Sequence, residues 1–151
     1  MLGELNTETM DELLETQLIG RIGCHAEGVT YIIPVNYVYH DPYIYAHSTN
    51  GIKLHIMRKN PELCFEVDKI ESLFNWQSVI CWGTFEEITE VSESEQAMQK
   101  IIGSMSPYLS KSAESHPSHG FARDEYEIGI SLELVIYRIH IKRKTGRFEK
   151  E

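Results

Sequence analysis

The sequence predicts a mainly β fold, a six-stranded antiparallel barrel with inserted helices, formed by residues 1–151 as one domain. Six runs rich in β-branched and aromatic residues, separated by turn residues, predict the strands. Helical periodicity replaces the strand pattern in only two or three places. Consecutive antiparallel strands of this length close most economically into a small barrel, because closure removes exposed edges.

The first element is predicted to be a short helix. Thr7 is the expected N-cap, and three apolar residues recur after it at helical spacing, namely Met10, Leu13 and Leu14. Gly20 follows as a stop signal.

A hairpin comes next, with apolar runs at 19–25 and 29–39 and a turn that contains Gly28. Pro34 lies within the second run. Its missing N–H donor indicates an edge strand, a bulge or the approach of a group other than a strand. Asn36 points to the same face two residues later, and a bulge with a solvated asparagine is the simplest interpretation of the pair.

The middle of the chain is predicted to hold a turn, three strands and a short helix. In order, these are a turn at Asp41-Pro42, a strand at 43–47, a helix within 48–60, and strands at 63–70 and 77–88. Asn60-Pro61 ends the helix, because the residue before a proline disfavours the helical conformation.

The last third of the chain is predicted to form a helix, a loop and a long strand. The helix at 92–109 begins with a capping box of Ser92 and Glu95. A loop rich in Ser, His, Pro and Gly follows at 111–124. Alternating apolar residues then predict a strand at 126–142.

The composition limits the classes of function. The formal net charge is −9, which repels phosphate backbones and excludes nucleic acid as the main partner. A basic stretch at 142–147 closes the last strand and is expected to be solvated. The sequence contains no HExxH, no CxxC and no His/Cys cluster with zinc spacing, so no metal site is expected.

Cysteine usage and hydropathy predict a soluble cytoplasmic protein that does not contact a membrane. Cys24, Cys64 and Cys81 lie in apolar runs and are expected to be reduced, buried thiols. The N-terminal residues have no basic start and no apolar run, so they do not predict a secretory signal. No run approaches the roughly 18 apolar residues that cross a bilayer.

Polar residues at the end of the third strand form a candidate phosphate site. The stretch HSTNGIK, from His47 to Lys53, offers backbone N–H groups at a helix start, two hydroxyls and one lysine. These groups bind phosphate, because the amides and the helix dipole favour an anion. The alternative is an ordinary helix cap with a solvated Lys53, and the stretch has neither the P-loop nor the Rossmann signature.

The remaining aromatic and imidazole side chains predict no site by themselves. Trp76 and Trp82 flank the fifth strand and are expected to lie in the core. Four further histidines are interpreted as structural or solvated: His55, His116, His119 and His140.

Four segments carry a resemblance to a known family. They are GRIGC (20–24), IIPVNYVY (32–39), IYAHSTNGIKLHIMRKNPELCFEVD (44–68) and WQSVICWGTFEEI (76–88). Together they resemble the flavin-binding split barrels related to pyridoxamine 5'-phosphate oxidase, most of all the nitroimidazole-resistance branch. The order P-V-N, H-S, G-x-K-L and N-P-x-x-C-F-E-V-D is far more specific than any one piece.

The resemblance implies an FMN-binding split barrel that forms a homodimer with the cofactor at the subunit interface. The implied cofactor contacts fall into three groups. They are the ring-supporting residues Ile33, Pro34, Val35 and Asn36, the phosphate-binding residues His47, Ser48, Gly51 and Lys53, and the residues Trp76, Gln77 and Ser78, which complete the cleft partly from the second subunit.

The implied function is FMN-dependent reduction of a small aromatic or nitro-compound. His47 is the expected catalytic residue, as a proton donor near neutral pH, and simple packing of its ring on the flavin is the alternative. Vitamin B6 oxidation is not expected, because the phosphate helix keeps only Lys53 of that enzyme's arginine–lysine pair and its substrate-binding tail is missing. A haem-binding split barrel and a flavin-binding protein without turnover stay open, as do FAD or a deazaflavin in the same site.

Overall fold

The computed structural model describes residues 1–112 and 134–151, and within these ranges it contains eight strands and three helices. In chain order they are β1 (Leu2–Glu4), α1 (Thr7–Thr16), β2 (Ile19–Ala26), β3 (Val29–Asn36), β4 (Val38–His40), β5 (Tyr43–Ser48), α2 (Ile52–Lys59), β6 (Glu62–Ser72), β7 (Asn75–Glu87), α3 (Val91–Ser112) and β8 (Val135–Glu149). The predicted mainly β architecture is confirmed.

All eight strands belong to one antiparallel sheet. Seven follow the order β3-β2-β6-β7-β8-β5-β4, and β1 pairs with the end of β8. The two ends of this path, β3 and β4, are separated in sequence by Tyr37 alone. The sheet therefore curls until its ends meet at one residue, which makes a split barrel and not a closed one.

The strand count differs from the six that the sequence predicts, for two reasons. The sequence pattern does not predict the short strand β1. The run at 29–39, predicted as one strand, breaks at Tyr37, because β3 pairs with β2 while β4 pairs with β5.

The hairpin of β2 and β3 follows its predicted course. Glu27 and Gly28 form the turn with positive φ angles of 53° and 79°, the combination that a two-residue type I′ turn requires. β3 then pairs with β2 without a register shift from Val29 to Asn36. Pro34 therefore lies in an edge strand, where its missing donor is tolerated, and the bulge interpretation is wrong.

The inner face of the curled sheet and α1 enclose the main core. Tyr37, at the junction of β3 and β4, packs edge-on against Phe65 with a ring-centroid distance of 4.8 Å. Its hydroxyl donates a hydrogen bond of 2.7 Å to the carbonyl oxygen of Leu14 in α1. Asn6, not Thr7, caps α1, because its side chain accepts from the N–H of Thr9 over 2.8 Å.

A second, smaller core lies on the outer face of the sheet, where α3 packs over β5 and β8. Ala97, Met98 and Ile101 of α3 contribute to it, with Tyr45 and Ile88 from the sheet side. None of the three described helices is long and apolar enough to span a bilayer.

The N-terminus of α3 is capped differently from the prediction. The carboxylate of Glu90 accepts hydrogen bonds from the N–H groups of Ser92 and Glu93, over 3.1 and 2.7 Å. The helix starts at Val91. Glu90 thus fills the role that the sequence pattern assigns to a Ser92–Glu95 box.

β8 continues past its predicted end at residue 142 to Glu149. Lys144, in the basic stretch expected to be solvated, instead forms an ion pair with Asp11 of α1. Tyr39 donates a hydrogen bond of 2.9 Å to the same carboxylate. The predicted loop at 111–124 with His116 and His119, and the predicted start of the last strand at 126, lie at least partly outside the described residues.

Candidate functional site

The two ends of the sheet flank the candidate site. In the antiparallel β4–β5 pairing, Val38 lies opposite Tyr45. If this register continued for two more residues, Asn36 would lie opposite His47. Beyond Tyr37, however, β3 turns away from β5 and pairs with β2. An opening therefore separates β3 from β5, with Asn36 on one side and His47 on the other. We call this opening the split.

The predicted ring-supporting residues divide between the two faces of β3. Val35 and Ile33 contribute to the core, so their side chains point inward. Pro34 and Asn36 belong to the opposite face, which is open enough to leave the neighbouring Ile32 69% exposed. Only the backbone of Ile33 and Val35 is therefore available to a ring on the outer face.

The predicted phosphate-binding residues meet where β5 gives way to α2. His47 and Ser48 end β5, and Gly51 is the N-cap residue of α2. Glycine offers no side-chain cap, so the first N–H groups of α2 have no side-chain partner. Such amides and the positive end of the helix dipole favour an anion.

Lys53 adds a cation to this helix start. Burial lowers the pKa of its ammonium group, because a charged form loses solvation inside a protein. The first turn of α2 contains no acidic residue. In the part of the chain that the structure describes, Lys53 forms no ion pair with a carboxylate. A positive charge that is partly desolvated and not neutralised is what a phosphate group would complement.

His47 is electrically neutral near pH 7. Burial, and secondarily the charge of Lys53, lower its pKa to about 4. A neutral imidazole still donates a hydrogen bond from one ring nitrogen. The predicted role of His47 as proton donor would therefore rely on the N–H of a neutral ring.

Arg58 fixes the loop between β5 and α2. Its Nε donates a hydrogen bond of 2.7 Å to Glu87 at the end of β7, and its Nη1 donates one of 3.2 Å to Asn50. Sequence reasoning missed this residue. The sequence does indicate its position, because Arg58 comes seven residues after Gly51 and a helix therefore places it two turns later on the same face.

Trp76, Gln77 and Ser78 lie on β7, which is a neighbour of neither β3 nor β5, the two strands that border the split. Ser78 pairs with Asp68 of β6. The path from β7 through β6 and β2 to β3 crosses three strand spacings, about 14 Å, and the path through β8 to β5 crosses two. Instead, Ser78 donates a hydrogen bond of 3.0 Å to Glu66, and Trp76 donates one of 3.0 Å to Glu149.

The tryptophans do not occupy the core. Trp76 and Trp82 are half-buried. The guanidinium carbon of Arg143 lies over the Trp82 ring, 4.3 Å from its centroid. The prediction that both are core residues is wrong, because they alternate with the buried residues Val79 and Cys81 along β7. All three cysteines are free, as expected, and Cys24 and Cys81 are buried, whereas Cys64 is only partly buried.

Comparison with known proteins places this geometry in a family. The sequence profile of the pyridoxamine 5'-phosphate oxidase family matches residues 6–148. An uncharacterized protein of Rhizobium meliloti is 29% identical over 70 residues, which cover 46% of this chain and 46% of that protein. The match thus spans about half of that relative's length.

Several solved structures share the fold, including the following two. A FAD-binding protein from Mesorhizobium loti has 24% identity and a TM-score of 0.78, with 99% of each chain covered. A protein from Bacteroides thetaiotaomicron, described as a candidate 5-nitroimidazole antibiotic resistance protein, has 15% identity and a TM-score of 0.72. That match covers 98% of this chain and 87% of the other. The split-barrel fold and the resemblance predicted from the sequence are confirmed.

Proposed function

This chain belongs to the pyridoxamine 5'-phosphate oxidase family, and we propose that it binds FMN in the split and reduces a small aromatic or nitro-compound. The phosphate is held at the start of α2, by Ser48, Gly51 and Lys53. The flavin ring lies on the outer face of the split, against the backbone of β3.

The observation that carries this proposal is the cation at the start of α2. Lys53 lies in the first turn of α2 and has a partly buried ammonium group, and the N-cap residue of this helix makes no side-chain hydrogen bond. Without an anion, the desolvation of this charge is an uncompensated cost, so the donor set fits a phosphate. A Cβ atom on Gly51 would meet no atom within 4 Å, which leaves space beside these donors.

A bound flavin would supply hydride transfer between a reduced donor and the substrate. The chain's own residues would orient and shield the reacting groups. Pro34 and Asn36 present the outer face of β3, and the proposed role of neutral His47 is to donate a hydrogen bond to the ring or the substrate.

We further propose a homodimer in which the second copy completes the cleft. Trp76 and Ser78 lie on the outer face of β7, which is three strand spacings from β3, about 14 Å at ~4.8 Å per strand, and two spacings from β5. We propose that the same residues of a partner subunit contact the ring. Light scattering of the flavin-bound protein should give the mass of two chains, and a monomer with flavin bound contradicts this part of the proposal.

The visible spectrum of the purified protein, before and after addition of FMN, tests the central claim. We expect flavin absorption bands and quenching of FMN fluorescence on titration. A colourless protein that takes up no FMN overturns the proposal. A Soret band that disappears in His47→Ala would indicate that the protein binds haem and not flavin, since neutral imidazole is the form that ligates iron.

Turnover requires a separate measurement. FMN-loaded protein is mixed anaerobically with a nicotinamide donor and then with a nitroaromatic compound, and the flavin bands are followed. Bleaching by the donor and recovery with the nitro-compound support a reductase. If neither reagent changes the absorption bands of the bound FMN, the protein binds flavin but does not turn over these substrates.

A further inference from the structure

A second concave site lies beside the split. It is a cavity of about 280 Å³ between the start of α3, the end of β7 and the start of β8. A water molecule occupies about 30 Å³ in the liquid, so the cavity can hold a molecule with one ring and a short side chain. Its apolar walls include Ile88, Val91, Met98 and Ile136. None of the described residues that line it is predicted to bind the cofactor.

The cavity and the split lie on opposite sides of β5. Val135 and Ile136 line the cavity, and they pair with Ser48 and His47 of β5. The split borders the other edge of the same stretch of β5. A molecule in the cavity therefore lies beside the proposed flavin site and not within it.

The side-chain donors around the cavity already have partners. Arg58 donates hydrogen bonds to Glu87 and Asn50. The hydroxyl of Ser94 donates one of 3.0 Å to the carbonyl oxygen of Ile88. A ligand that needs donors from the protein, such as an anion, would have to displace these contacts.

The N–H groups at the start of α3 are engaged as well. The carboxylate of Glu90 accepts from the N–H groups of Ser92 and Glu93, over 3.1 and 2.7 Å. The carbonyl oxygen of Glu90 accepts from the N–H of Ser94 over 2.9 Å. The carboxylate also offsets the positive end of the helix dipole. This helix start therefore does not favour an anionic ligand in the cavity.

Acceptor oxygens, in contrast, are available. Both Nε and Nη2 of Arg58 donate to the same oxygen, Oε1 of Glu87, and Oε2 of Glu87 has no hydrogen bond to any residue that the structure describes. The exposed carboxylate of Glu95 forms no ion pair with any of these residues either. Ser94 keeps lone pairs that can accept. With one guanidinium against two carboxylates, the described lining carries a net negative charge.

These features match a small organic cation. The apolar walls accommodate a ring, and a positive charge that carries hydrogen-bond donors complements the available carboxylate oxygens. We propose that the cavity binds a primary amine joined to an apolar ring by a short alkyl chain. The ammonium group would lie at Glu87 and Glu95, and the ring would lie against Ile88, Met98 and Ile136. This site does not require a bound flavin.

Isothermal titration calorimetry with three molecules of similar size tests the charge requirement. We expect 2-phenylethylamine to bind with a Kd below about 1 mM. It should bind at least about tenfold more tightly than 2-phenylethanol, because charge-assisted hydrogen bonds are about twice as strong as neutral ones. Phenylacetate should bind more weakly than the alcohol, because its carboxylate meets two others. Equal affinities for the amine and the alcohol, or a weaker Kd for the amine, overturn the proposal.

A matched pair of variants locates the ammonium group. Glu95→Gln removes one charge and keeps the shape of the side chain, so it should weaken amine binding at least about fivefold and leave 2-phenylethanol binding within about twofold. Glu93→Gln makes the same change at an exposed residue of the same helical turn that does not line the cavity. Amine affinity should then stay within about twofold of wild type. Equal weakening by both variants would show general attraction to an acidic surface and would overturn the site.

A third variant tests the cavity itself. Val91 lines it and is 67% exposed, so Val91→Trp should fill the cavity without disturbing a core and weaken both the amine and the alcohol at least about tenfold. Glu95→Gln, at an exposed position, keeps the test decisive if Val91→Trp does not fold.

Titrations with and without saturating FMN separate this site from the proposed function. Amine binding that requires FMN, or that survives Val91→Trp, would place the amine on the flavin ring, which overturns the cavity site and leaves the flavin proposal intact. Failure to bind FMN, with amine binding as expected, overturns the flavin proposal alone.

Discussion

Arg58 reaches back from the last turn of α2 to the loop that precedes its own helix, where its Nη1 donates a hydrogen bond of 3.2 Å to Asn50. The same guanidinium is bonded to Glu87 at the end of β7. One side chain thus ties the proposed phosphate loop to the sheet. The amides of this loop can then meet a phosphate without first being ordered, which lowers the entropic cost of binding.

Replacement of Arg58 by Met should therefore weaken FMN binding although Arg58 itself is not placed on the phosphate. We expect the Kd for FMN to rise by about three- to tenfold, since a loop ordered only on binding costs about 1 kcal/mol. Lys59→Met is the matched control, because Lys59 is an exposed cation on the next position of α2. Unchanged affinity in Arg58→Met would show that the loop holds its shape without this contact.

Charge reversal at Lys53 tests the phosphate site directly. Lys53→Glu should raise the Kd for FMN by at least about thirtyfold, which corresponds to about 2 kcal/mol, because it replaces a charge-assisted hydrogen bond with repulsion. Lys59→Glu changes the net charge of the same helix equally and should alter the Kd by less than about twofold. Isothermal titration calorimetry with FMN measures both. If the two variants behave alike, the phosphate binds elsewhere.

The sequence predicts those parts of this site that local patterns encode. The helix start within the HSTNGIK stretch, the end of α2 at Asn60 and the hairpin turn at Gly28 depend on residues close in the chain, and the structure contains all three. The family resemblance adds the expectation of a split barrel and the residues expected to hold its cofactor. These features follow from capping, turn and proline preferences, which act over a few residues.

The features that the sequence does not predict depend on distant partners. The run at 29–39 has an uninterrupted strand pattern, and it breaks at Tyr37 only because β2 and β5 compete for its two halves. Arg58 acquires its role from Glu87, which lies 29 positions away. Glu90 caps α3 in place of the predicted Ser92. Several acidic and hydroxyl side chains near this helix start are able to accept from its N–H groups, so the local sequence does not single one out.

The ionisation of His47 gives a prediction about pH. Burial and the charge of Lys53 lower the pKa of its imidazole to about 4, below the value of about 6.5 for an unfolded chain. The unfolded state therefore binds more protons between these values, and folding stability that is present above pH 6.5 is lost as the pH falls toward 4. NMR titration of the imidazole signals should find the low pKa, and His47→Gln should reduce the loss of stability in acid. A pKa near 6.5 would mean that the ring is solvated.

Two glycines should respond in opposite directions to the same substitution. A Cβ atom on Gly83 of β7 would lie 2.3 Å from the carbonyl oxygen of His140, so Gly83→Ala forces two backbones apart and should lower the free energy of unfolding by at least about 2 kcal/mol. A Cβ atom on Gly103 of α3 would meet no atom within 4 Å. Gly103→Ala should therefore stabilise the protein by up to about 1 kcal/mol through helix propensity. Urea denaturation followed by circular dichroism measures both, and a mild effect at Gly83 would indicate that β7 and β8 can separate there.

Tyr37 and Tyr137 provide a similar comparison for buried hydroxyl groups. Tyr37 is 2% exposed and donates to Leu14, whereas Tyr137 is 0% exposed and its hydroxyl has no partner among the described residues. Loss of a satisfied hydrogen bond lowers the free energy of unfolding by about 1 kcal/mol and leaves its acceptor without a donor. Removal of an unsatisfied buried hydroxyl removes a desolvation cost. Tyr37→Phe should thus lower the free energy of unfolding, and Tyr137→Phe should leave it unchanged or raise it by up to about 1 kcal/mol. If Tyr137→Phe proves as costly as Tyr37→Phe in the same urea titration, the hydroxyl of Tyr137 forms a hydrogen bond in solution, and the interior beside Cys24 is polar enough to hold its partner.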